Sequence, residues 1–186
     1  MLVSDISVPS LDTATQLSRL YHLDLSGPMS KARLTEPEGL GWSDQQCAEA
    51  SLWYRRFWHA IIVNREERLV PNRPIDELWH LHVLDTAAYR RDCAHVLGYF
   101  LDHYPYYGLR GDAAARDDSF EATNRLYRSL FDADCRAMSA FDPSTASQCG
   151  GSCAAACGGA PAHRPRTDTT LNPALVASGC GESTEG

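Results

Sequence analysis

Apolar residues recur at steps of three and four through the first three quarters of the chain. Cys47, Ala50, Tyr54, Phe57, Trp58, Ile61 and Ile62 form one such stripe, the spacing of an amphipathic helix. Ser43 precedes it with Gln46 three positions later, a capping-box pattern, so a helix is predicted from there to about Asn64. After Pro71 and Pro74 the positions Ile75, Leu78, Trp79, His82, Thr86, Tyr89, Cys93, Val96, Leu97 and Phe100 read as one continuous stripe, and Pro74 suits the first helical position. A third set, Phe120, Leu126, Tyr127, Leu130, Phe131, Cys135 and Met138, follows Asp118 with Glu121 three residues on. The run from Leu11 to Leu23 is a weaker helix. No sustained alternation of period two, bounded by turn residues, competes with these patterns. The prediction is an all-α body, a compact bundle of four to five helices.

The patterning stops near Pro143. From there to Gly186 the chain has no Phe, Trp or Tyr, and Leu171, Leu175 and Val176 are its only large aliphatics. Such a segment buries too little apolar surface to offset its chain entropy. Residues 1–142 are therefore predicted to fold, and 143–186 to form a mostly disordered, low-complexity tail rich in Cys, Gly and Ala.

Composition narrows the classes of function. A chain of 186 residues with 44% hydrophobic and 22% charged residues has the length and balance of one soluble domain. A net charge of −7 gives no general attraction to nucleic-acid phosphates or anionic lipid. No apolar run of about 18 residues offers a membrane span, and MLVSDISVPS lacks the basic and apolar regions of a signal peptide. The expectation is a cytoplasmic protein that binds neither nucleic acid nor membrane. Its seven cysteines, an odd number, fit reduced thiols better than a disulfide framework. Cys47, Cys93 and Cys135 lie in the helical stripes, where they serve as small core residues.

The chemistry-bearing text is Pro74-Ile-Asp-Glu-Leu-Trp-His-Leu-His, which sets Asp76, His80 and His82 within seven residues. On an extended strand two histidines one residue apart point to the same face and make a metal-binding pair. On a regular helix they leave the axis about 200° apart, and one ion cannot easily bind both. The helical reading pairs Asp76 with His80 at i,i+4 and turns His82 toward the apolar stripe. A further ligand would come from another element, with His59, His22, His103 or an acidic residue as candidates. Asp76, His80, His82 and His59 form the candidate body site for a transition metal, zinc, iron or copper. Cys93 is set aside as a partner of His82, because eleven residues of unbroken helix span about 16 Å.

These residues carry a resemblance. The run IDELWHLHVLDTAAYRRDC, preceded by AEASLWYRRFWHAI and VPNRP, resembles the domain of the glycine-rich-domain-containing-protein-like family, whose hallmark is Ile/Val-Asp-x-x-Trp-His-x-His followed by an aromatic residue and a cysteine. Ile75, Asp76, Trp79, His80, His82, Tyr89 and Cys93 match it, over about residues 43–110, and GYFLDHYPYYGLRG looks like the bacterial form. The resemblance implies a domain and no particular reaction. The glycine-rich region departs from it, being short and mixed with cysteine and alanine. Tyr99, Phe100, Tyr104, Tyr106 and Tyr107, around His103, either line a pocket or fold back onto the core.

The tail holds a second chemical signal. Cys149, Cys153 and Cys157 are spaced by four, but Gly-Gly pairs beside them oppose a helix. Clustered thiolates capture a soft ion such as Cu(I), or Zn(II), with Cys180 as a fourth ligand. No His-Glu-x-x-His word, phosphate loop or nucleophile elbow occurs. The leading reading is a non-enzymatic helical binding or scaffold domain with a protein partner. The alternatives are a metalloenzyme with a histidine site, and a precursor whose thiol tail a modifying enzyme alters.

Overall fold

The computed structural model describes residues 11–141. It is all-α, with α1 Thr13–Tyr21, α2 Ser26–Arg33, α3 Asp44–Val63, α4 Arg73–Leu84, α5 Thr86–Val96 and α6 Ala113–Phe131, followed by a 3-10 turn at Cys135–Ala137. Six helices among the described residues replace the four to five expected, for two reasons. The Ser26–Arg33 segment forms an extra short helix, and the long stripe after Pro74 is two helices. The tail from 143 onward, with its predicted disorder and its Cys149, Cys153 and Cys157 site, lies outside the described residues.

Local chemistry sets the helix starts. Ser43 and Gln46 form the full capping box, each side chain taking the other's backbone N–H, at 3.2 and 2.9 Å. Asn72 caps α4 by accepting from the Ile75 N–H, and Pro74 sits in the first turn, where a missing N–H costs nothing. Asp85 ends α4 and begins α5: its backbone leaves the helical region, and its carboxylate accepts from the Ala88 N–H at 3.1 Å. An apolar stripe can run through such a break, which is why the periodicity read as a single helix. The last helix starts at Ala113 rather than near Asp118. The carboxylate of Asp112 closes the preceding turn on the N–H groups of Gly108 and Arg110. It ends at Phe131 with Asp132 in the left-handed conformation, so Cys135 and Met138 belong to the following segment.

The central helix, α3, packs against α1, α2, α4 and α6, while α4 also meets α2 and α5. Its residues Tyr54, Phe57 and Trp58 are fully buried, joined by Leu20, Leu25, Ile75, Leu78 and Tyr89. Cys47, Cys93 and Cys135 are free, buried thiols within this core. Burial pushes the Cys93 thiol up to about 11, which keeps it protonated and inert. No helix of the described residues is long and apolar enough to cross a membrane.

Candidate metal centre

Asp76 stands at the end of the first turn of α4, where the positive end of the helix dipole favours a carboxylate, yet it is only 5% exposed. A buried carboxylate needs donors. His80, one turn later on the same face, brings its Nε2 to 3.6 Å from Asp76 Oδ2. His103 comes from the irregular segment after α5 and places its Nε2 3.0 Å from Oδ1. The two imidazoles lie 4.5 Å apart, centre to centre. One ligand atom from each of Asp76, His80 and His103 lies within 4.8 Å of the others, a spacing at which this partly buried group could hold a metal ion.

The i,i+4 pairing of Asp76 and His80 is the helical geometry expected from the sequence. The shared ion between His80 and His82 is not: α4 is regular through both residues, and their rings diverge. His82 is 1% exposed and held at both nitrogens, with Nδ1 3.0 Å from the Tyr54 hydroxyl and Nε2 3.1 Å from Asp92 Oδ2. A carboxylate only accepts, so Nε2 carries the proton and Nδ1 accepts from Tyr54. The ring stacks on Trp58 and meets Tyr89 edge-on. His82 therefore belongs to the core. Asp92 reaches it because the chain turns at Asp85 between α4 and α5, and the unbroken helix that set Cys93 at a distance does not exist.

His59 is also elsewhere. It takes a 2.9 Å hydrogen bond with the Tyr21 hydroxyl and packs edge-on against Phe131, on the face of α3 between α1 and α6. His22 bonds its own helix at the Ser18 carbonyl. His103, one candidate among several in the sequence, is the residue that the tertiary structure selects. Nothing local distinguishes it from the others, since it lies 27 positions from Asp76 and arrives through a loop.

The walls of the site are aromatic and ordered. Trp79, next to His80, stands edge-on to His103 at 4.3 Å and packs on Phe57. Its indole N–H donates to the Tyr89 hydroxyl at 2.9 Å, and that hydroxyl donates to the Leu101 carbonyl at 2.5 Å. Burial lowers the pKa of His80, with the Asp76 carboxylate opposing and His103 adding to the depression. A neutral imidazole is the form a metal ligand requires. The side chain of His80 is 39% exposed against 9% for His103, so the group opens to solvent on the His80 side. Some of the segment's other aromatics contact the body, where Phe100 meets Tyr89, Arg68 lies over Tyr104 and Tyr107, and Tyr107 bonds Ser119, while Phe100 and Tyr106 remain exposed.

Comparison with protein-family models, with curated proteins and with solved structures finds no match to this chain.

Proposed function

We propose that this protein is a helical binding or scaffold domain that carries one transition-metal ion on Asp76, His80 and His103 and presents it, with the surrounding surface, to a protein partner. The observation that carries this reading is the convergence of His103, from the segment after α5, on the buried Asp76 carboxylate and the His80 imidazole of α4. Two nitrogen donors and one oxygen donor suit Zn(II) or Fe(II), whereas Cu(I) prefers sulphur and would look to the tail thiols. An imidazole binds a metal only through an unprotonated nitrogen, so His103 Nε2, which donates to Asp76 in the metal-free protein, would pass its proton to Nδ1 to serve as a ligand. The resemblance to the glycine-rich-domain-containing-protein-like family stands beside this reading as a proposal about ancestry, and a cytoplasmic location as a proposal about place.

The full chain, purified under reducing conditions, is expected to bind about one equivalent of Zn(II) in calorimetric titration. His80→Ala and His103→Ala should each weaken binding at least tenfold, and His59→Ala should leave it unchanged. Binding that survives both substitutions but disappears when Cys149, Cys153 and Cys157 are all changed to serine moves the site to the tail. No binding by any form overturns the reading.

The solvent-facing side of His80 favours one alternative, a metalloenzyme with coordination positions open to water and substrate. Metal-dependent hydrolysis of ester or amide substrates, abolished by His103→Ala, would move the assignment to an enzyme.

A further inference from the structure

The loop ligand His103 has no helix to aim it. It lies between Leu97, the C-cap of α5, and Ala113, the start of α6, in a stretch where Gly98, Gly108 and Gly111 adopt positive φ. A side chain on such a segment is a useful ligand only if other contacts fix the backbone that carries it.

Tyr89 supplies those contacts. It stands on α5 and is 1% exposed, its ring wedged between Trp58, His82 and Phe100. The hydroxyl donates to the carbonyl of Leu101, two residues before His103, and accepts from the indole of Trp79, the ring that forms the wall beside His103. One oxygen thus ties the loop backbone and that wall to α5.

We infer that Tyr89 is the positioning residue of the metal centre: its hydroxyl, bonded to Trp79 and to the Leu101 carbonyl, holds His103 toward Asp76 and His80. The inference rests on the metal reading for its affinity consequences. Its geometric content is independent of that reading.

Tyr89→Phe removes the oxygen and keeps the ring. In the full chain it should weaken Zn(II) binding ten- to a hundredfold, the range typical of groups that orient a ligand, and should change the visible absorption of the Co(II) form as the His103 ligand is lost. The same substitution in a His103→Ala background should cause no further loss, because the residue it positions is gone. A role limited to general stability would instead weaken both backgrounds by the same factor, and that result overturns the inference. Trp79→Phe, which deletes the other partner of the same hydroxyl, is the second variant should Tyr89→Phe fold poorly, and should show the same dependence on His103. The metal-free protein separates this inference from the metal reading. Imidazole ¹⁵N resonances should show the His103 hydrogen bond to Asp76 in the unaltered protein and its loss in Tyr89→Phe, with His82 unchanged. If the unaltered protein takes no metal but His103 moves as stated, the metal reading falls and the positioning role stands. If the His103 resonances are unmoved, the positioning role falls whatever metal does.

Discussion

Tyr54 and Asp92 hold the ring of His82 from both sides in a space almost closed to solvent. Deleting the ring leaves a buried hydroxyl and a buried carboxylate with one partner fewer and opens a cavity beside Trp58. His82→Ala should therefore cost about 3–5 kcal/mol of stability, read as a lower urea midpoint. Burial also holds the His82 pKa below its ordinary value of 6.5, against the pull of Asp92. The unfolded chain then takes up a proton at a pH where the folded protein does not. The contribution of a neutral His82 is fully present above about pH 6.5 and is lost as pH falls toward the depressed folded value. The urea midpoint, followed from pH 7.5 down to 5 with chelator present, should decline, and His82→Gln should decline less steeply. At this scale the sequence already held Asp76 and His80, because i,i+4 adjacency is a property of any helix. It could not rank His103 above His22 or His59.

Between α4 and α5 the decisive residue is Asp85. Its carboxylate supplies a hydrogen-bond acceptor to the open N-terminus of α5, and the turn it makes lets α5 meet α4 through Trp79–Tyr89 and His82–Asp92. The apolar pattern passes through this break without interruption, since both helices bury their stripes in the same core. Periodicity reports which faces are buried and is silent on where the axis turns. Asp85→Ala removes the cap and should lower stability by about 1 kcal/mol. The corner also aims Asp92 at His82 and Tyr89 at Trp79, so the same variant should raise amide hydrogen exchange in residues 85–89 before the rest of the body. Where a cap and a proline coincide, as at Asn72 and Pro74, the sequence reading and the observed start agree within a residue or two.

Across the whole molecule, the segment that leaves α6 is fastened to the start of α3 and α4. Glu49 accepts from the backbone N–H groups of Ser139 and Ala140, at 2.9 and 2.7 Å, while Asn72 donates to the Cys135 carbonyl and Phe141 packs edge-on against Trp42. Glu49→Ala should release this segment and speed proteolytic cleavage near residues 138–141, with the helical circular dichroism unchanged. The sequence by itself determined the helical class, the capped start of α3, the placing of Cys47, Cys93 and Cys135 in the core, and one edge of the candidate site. Each follows from interactions within a few residues, where spacing and side-chain type suffice. Only the tertiary structure decided that His82 is a core residue, that the long stripe is two helices, and that His103 completes the group on α4. Those outcomes depend on where the chain turns and which distant surfaces then meet, and a helical period carries no information about either.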